Sequence, residues 1–153
     1  MWPMLAATAA LLPDGVLGYF VLPGARQLAW SADGGRVRLD GRQMARARHP
    51  LTRAGPAPVA VLTSGRTASA GEAVAVAFGG LDRTCLIGQP TAGFTSGNET
   101  HVLRDGTRLH ITGSFYADRN RRIFTCPIPV DRHLADRDRG APLAAALSWI
   151  RQH

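Results

Sequence analysis

The sequence predicts a mixed α/β fold, and two stretches carry most of that prediction. Residues 58–90 read as strand, helix, strand. "PVAVLT" (58–63) is a short continuous apolar run, "SAGEAVAVAFGG" (69–80) is helical and ends on two glycines, and "TCLIGQP" (84–90) is a second apolar run. Two strands joined through a helix pair in parallel, by a right-handed crossover. Residues 99–118 read differently. "ETHVLR" and "TRLHITGSFYAD" flank Asp105-Gly106, a hairpin signal that demands antiparallel pairing.

The other elements follow in chain order. The apolar opening "MWPMLAATAALL" lacks the positive start of a signal peptide and runs into "PDG", so it reads as part of the fold, with Trp2, Leu5 and Leu11 buried. Short β pieces are predicted at 16–22, 26–32 and 36–39, separated by the turns "DGG" (33–35) and "DGR" (40–42). A polar, proline-containing connection covers 45–58. The 58–63 run is expected to be a strand buried on both faces. "GQPTAGFTSGN" (88–98) is a loop, "RIFTCPIPVD" (122–131) is extended, and "APLAAALSWIRQH" (141–153) is a helix with Leu143, Leu147 and Ile150 on its apolar face. With no internal repeat and no linker, residues 1–153 read as one domain: a β-rich part (1–45), a core (58–131) and a C-terminal helix (139–153).

Composition narrows the function. The chain has 153 residues, 45% of them hydrophobic, enough for a real core. No apolar run reaches the roughly 18 residues that span a bilayer. All 18 basic residues are arginine and the net charge is +7, yet the arginines are scattered, with only "RNRR" (119–122) as a cluster. That pattern argues against a nucleic-acid partner. Cys85 and Cys126 lie in strand-like segments and form no CxxC pair, so they read as buried free thiols. "DRDRG" (136–140) lacks the later acidic ligand of a calcium loop. No metal or cofactor is implied.

Chemistry centres on Ser69. Ser69-Ala70-Gly71-Glu72 fits a capping box, in which the hydroxyl and the glutamate each satisfy a backbone N–H at a helix start. The same position suits a nucleophile, because free N–H groups and the helix dipole stabilise developing negative charge. The Ala70 N–H is the candidate oxyanion donor, and the small residues around the serine leave room for a substrate backbone. The nucleophile elbow of α/β hydrolases fits poorly: it needs G-x-S-x-G directly after the strand. Here Thr67 stands at the first glycine and the serine lies six residues past Thr63, which ranks a Ser69–His133 hydrolase last.

The ordered set "PVAVLTSGRTASAGE", "GQPTAGFTSGN", "LRDGTRLHITGSFYAD" and "IPVD" resembles the catalytic core of the tail-specific (C-terminal-processing) serine peptidases over about residues 58–131. The resemblance implies a crotonase/ClpP-like β–β–α spiral with a β-rich N-terminal part. It also implies a polypeptide substrate, Ser69 as nucleophile, Ala70 at the oxyanion, and Thr67, Gly93 and Phe94 along the substrate cleft. One branch of that family carries a lysine base just after the GxPTxG glycine. Phe94 stands there, and the chain contains no lysine. The loop is closer to the branch similar to nisin-resistance and tricorn-type peptidases, whose histidine base comes from upstream. His49, His101, His110, His133 and His153 match no family base position, and the D-L-R-x-N-x-G-G-like segment that precedes the core in the family does not occur here. The resemblance therefore implies the C-terminal part of a catalytic domain, with its base outside this chain. The competing expectation is an inactive descendant that binds peptide.

Overall fold

The computed structural model describes residues 1–48, 55, 57–135 and 140–153. The chain opens with helix α1 (Trp2–Thr8), followed by four strands, β1 (Gly15–Val21), β2 (Gln27–Asp33), β3 (Arg36–Leu39) and β4 (Arg42–Arg46). Then come β5 (Val59–Thr63), α2 (Ala70–Phe78), β6 (Thr84–Gly88), β7 (Ser96–Val102) and β8 (Arg108–Asp118). Two short strands, β9 (Ile123–Phe124) and β10 (Arg132–His133), precede helix α3 (Ala141–Gln152).

These strands form two sheets. The larger is antiparallel, in the order β4-β3-β2-β1-β8-β7, with β9 paired to β8. The smaller is parallel, in the order β10-β6-β5. The β-rich start, the parallel β5–α2–β6 unit and the 105–106 hairpin are present as expected. One strand was not anticipated. β4 lies in "RQMAR", whose apolar–polar alternation is too weak to read, and it exists because it pairs with β3 across the Asp40-Gly41 turn.

Helix α2 joins the two sheets, packing against α1, β1, β5 and β8. Its "AGEAVAVAF" face is mostly alanine and valine, so the backbone can approach the sheets closely, and Ala73, Ala75, Val76, Ala77 and Phe78 are buried. The core beneath it is aromatic. Trp30 stands edge-on to Tyr116 at 5.1 Å and to Phe20 at 4.9 Å, with Leu5, Leu17 and Val37 filling the remainder. A second cluster joins α3 to the smaller sheet through Trp149, Ala146, Cys85 and Ile87.

Several sequence expectations need correction. Leu143, Leu147 and Ile150 do share a face of α3, but that face is exposed; Ala146 and Trp149 are the buried pair. Helical spacing identifies apolar stripes without saying which one meets the core, and the large Trp149 ring takes that place. β5 is not buried on both faces: Leu62 is exposed, because β5 is the edge of a three-stranded sheet. Leu5 is buried and Trp2 half-buried, but Leu11 is exposed and Leu12 takes the core position. Cys85 is buried whereas Cys126 is exposed. The connection at 49–54 and 56, with His49, and residues 136–139 of "DRDRG" lie outside the described residues.

The parallel pair ends in a close contact. Gly88 has φ +124°, and a β-carbon there would lie 2.2 Å from the Thr63 carbonyl oxygen. Thr63 Oγ1 donates to the Gln89 carbonyl at 2.7 Å, and the Gln89 N–H donates back to the Thr63 carbonyl at 3.1 Å. Both loops leaving this junction lead to Ser69 and its neighbours. Gly88→Ala should therefore lose more than about 2 kcal/mol, through a forbidden dihedral and a backbone clash together. Urea unfolding measures this, and a change under about 0.5 kcal/mol would show that the junction relaxes freely.

Candidate active site

Two loops leave the carboxyl ends of β5 and β6, where open α/β sheets place their sites. The first is a tight turn. The Ser64 N–H donates to Thr67 Oγ1 at 3.0 Å, the Thr67 N–H to the Ser64 carbonyl at 2.8 Å, and the Arg66 N–H to Ser64 Oγ at 3.2 Å. The turn delivers Ser69 as the N-cap of α2 with φ 49° and ψ −110°. A non-glycine residue in such a conformation costs about 1–3 kcal/mol and persists only where its surroundings impose it.

Glu72 is what imposes it. Ser69 and Glu72 adopt the capping-box arrangement, and the Ser69 N–H donates to Glu72 Oε2 at 2.7 Å. The other oxygen reaches the second loop: Thr91 Oγ1 donates to Glu72 Oε1 at 2.6 Å and the Gly93 N–H at 2.7 Å. The carboxylate is 0% exposed, so these donors replace its water. The two loops also touch directly, the Ala92 N–H donating to the Thr67 carbonyl at 2.9 Å. A third segment closes behind them. The Ile128 N–H donates to Thr91 Oγ1 at 2.9 Å, and the Thr91 N–H to the Ile128 carbonyl at 3.2 Å. Gly93 sits at φ +88°, where a β-carbon would meet Pro127 at 2.9 Å, so only glycine lets the loop lie this close.

Ser69 is exposed. Tyr116 is buried, and burial raises its phenol above the ordinary range. Beside the serine, the Ala70 N–H begins α2, and among the described residues it has no acceptor.

The expected cleft residues gather around this point in different states. Thr67 Oγ1 and the Gly93 N–H are committed to internal hydrogen bonds, whereas the Phe94 ring is 66% exposed. Three of the described histidines are bonded to groups other than Ser69. His101 pairs with Glu99 at 3.7 Å, His110 Nδ1 with Thr100 Oγ1 at 3.0 Å, and His153 Nδ1 with the Trp149 carbonyl at 2.9 Å; His133 lies exposed on β10. No group of three His, Cys, Asp or Glu side chains suited to a metal ion occurs among the described residues. Sequence reasoning saw Glu72 only as a local cap and missed Thr91. The threonine had a signal, since it belongs to the GxPTxG stretch.

The model of peptidase family S41 matches residues 3–131, and the chain belongs to that family. It is 31% identical over 150 residues to the nisin-resistance protein of Lactococcus lactis subsp. lactis, covering 97% of this chain but 45% of that protein. A solved lipoprotein from Streptococcus agalactiae superposes with a TM-score of 0.74 at 28% identity, over 99% of this chain and 50% of the other. The photosystem II D1 C-terminal processing protease shares the fold, with a TM-score of 0.60 at 22% identity over 88% of this chain and 31% of its own. The chain thus spans half or less of the length of each of these relatives.

Removing Glu72 leaves three donors without their acceptor, the Thr91 hydroxyl fully buried and the Ser69 and Gly93 N–H groups partly buried, and a buried one costs about 1–3 kcal/mol. Glu72→Ala should therefore cost more than about 3 kcal/mol in urea unfolding, and Glu72→Gln, which keeps one acceptor oxygen, clearly less. Equal and small losses, under about 1 kcal/mol in both variants, would remove Glu72 from this role.

Proposed function

We propose that this chain carries the nucleophile half of a serine-type peptidase acting on polypeptides. Ser69 is the nucleophile, the Ala70 N–H stabilises the oxyanion, and Thr67, Gly93 and Phe94 flank the substrate. The observation that carries the reading is the strained Ser69 at the start of α2, beside an Ala70 N–H that has no acceptor among the described residues. A donor pre-set where charge develops contributes about 10²–10³-fold to rate. In the first step a base takes the Ser69 Oγ proton as Oγ attacks the peptide carbonyl carbon. The carbonyl oxygen gains negative charge and meets the Ala70 N–H. The C–N bond then breaks, the amine leaves with the proton from the base, and water hydrolyses the acyl-serine.

The base lies outside the residues described. A serine hydroxyl is a weak nucleophile without one. The chain has no lysine, Phe94 stands where the lysine branch has its base, and His101, His110 and His153 are bonded to other groups. The relatives are about twice as long as this chain or longer, which leaves ample sequence to supply a histidine.

A fluorophosphonate probe with peptide mapping tests the assignment. The chain should be modified at Ser69, slowly, because a missing general base costs about 10²–10⁴-fold. Free imidazole should accelerate the reaction. Only its neutral form accepts a proton, so the acceleration should grow as pH rises through about 6.5. Ser69→Ala should not react. Absence of Ser69 modification with and without imidazole, in a folded protein, would favour a peptide-binding descendant. Fast modification indifferent to imidazole would place the base within the chain.

A further inference from the structure

Phe94 is held out into solvent between two residues that the fold locks. On one side, the Gly93 N–H donates to Glu72 Oε1 at 2.7 Å, and Gly93 lies against Pro127 at φ +88°. On the other, Thr95 is buried. Its Oγ1 donates to the Phe124 carbonyl at 2.9 Å, and its own carbonyl accepts the Tyr116 N–H at 2.9 Å. The phenyl ring between them is exposed and belongs to neither apolar cluster of the core. A ring left in water adds no burial to stability, so folding gives no reason for a phenylalanine here. Exposed apolar residues scattered singly are common and carry no meaning by themselves. The place of this one does.

That place is beside Ser69. The two oxygens of one carboxylate, Glu72, accept the Ser69 N–H and the Gly93 N–H, each at 2.7 Å. The Ala92 N–H donates to the Thr67 carbonyl at 2.9 Å, which ties the loop carrying Phe94 to the turn carrying Ser69 a second time. The backbone of residue 94 therefore follows directly on a group held within the span of one carboxylate from the serine backbone.

We propose that Phe94 is a specificity-determining residue, its ring receiving an apolar or aromatic side chain of the polypeptide next to the bond that Ser69 attacks. The inference rests on Ser69 being the nucleophile. Such a side chain covers the ring and leaves water with it, a gain that the fold alone leaves unused. An aromatic face also attracts cations. The net charge of +7 works against a cationic substrate and favours the apolar class. The Gly93 N–H and the Thr95 hydroxyl are both bonded internally, so discrimination falls to the ring rather than to polar groups beside it.

Three fluorophosphonates with one leaving group test this: one bears a phenylpropyl chain, one an oligoether chain of equal length and one an aminoalkyl chain. The readout is the second-order rate of Ser69 modification in imidazole buffer, taken as a ratio between probes. Comparing that ratio between proteins cancels the intrinsic reactivity of each probe. Wild type should favour the phenylpropyl over the oligoether probe about tenfold more than Phe94→Ala does. Phe94→Leu should fall between them. Leu143→Ser, which removes an exposed leucine on α3, should match wild type. Wild type and Phe94→Ala should melt at the same temperature. Equal ratios in wild type and Phe94→Ala would overturn the specificity role and leave the nucleophile standing. An aminoalkyl preference that depends on Phe94 would overturn the apolar class. Loss of the ratio in Leu143→Ser as well would trace it to surface hydrophobicity at large and overturn the role. Early melting of Phe94→Ala would make Phe94 a packing residue. Absence of Ser69 modification by all three probes would overturn the nucleophile assignment, and this role with it.

Discussion

A carboxylate closed off from water, with no ion-pair partner among the described residues, is the constraint on which this site depends. Glu72 carries its charge at the centre of three backbone segments and is satisfied by donors alone: the Ser69 and Gly93 N–H groups and the Thr91 hydroxyl. Burying such a group is costly unless nearly every lone pair is met, so the segments that meet it must come together in one geometry. That requirement orders the rest. Gly93 has no side chain because Pro127 presses against it, and Thr91 both donates to Glu72 and accepts from Ile128. The strand pair behind is closed by the Gly88–Thr63 contact, which aims both loops at the same point.

The strained Ser69 backbone makes sense against this background. A conformation costing a few kcal/mol survives because the helix start cannot relax without breaking the hydrogen bond to the buried Glu72 carboxylate. The helix that carries it is small-sided and almost fully buried along its length, so it cannot shift as a body either. A rigid α2 is thus what converts the Glu72 network into a fixed position for Oγ and for the adjacent Ala70 N–H. From the other side, the Phe20–Trp30–Tyr116 wall fills the core beneath α2. In family S41, to which the chain belongs, such fixed geometry is what acyl transfer from a peptide would need.

Much of this was legible in the sequence, and the limits were physical. The 58–90 unit announced itself through two apolar runs and a helix ending in Gly79-Gly80, and the hairpin through Asp105-Gly106. The capping box was legible because Ser69 and Glu72 are three residues apart. The bonds from Glu72 to Thr91 and Gly93 span 19 and 21 residues, and no local pattern encodes them. Tyr116 reaches the core beneath α2 because β8 pairs with β1, a consequence of the tertiary fold. The apolar stripe of α3 was misread for a related reason: periodicity gives the spacing of Leu143, Leu147 and Ile150, while the contact with β5 and β6 selects Ala146 and Trp149.

The central claim is that one buried carboxylate holds the serine's helix start and the glycine loop together. Amide hydrogen exchange at Ser69 and Gly93, resolved by NMR in wild type and in folded Glu72→Ala, which removes both acceptor oxygens, tests it directly. If both amides share Glu72, they are strongly protected in wild type and lose protection together in the variant, while amides at the C-terminal end of α2 keep theirs. If Gly93 keeps its wild-type protection when Ser69 loses its own, the two loops are held by something other than Glu72, and the claim is wrong.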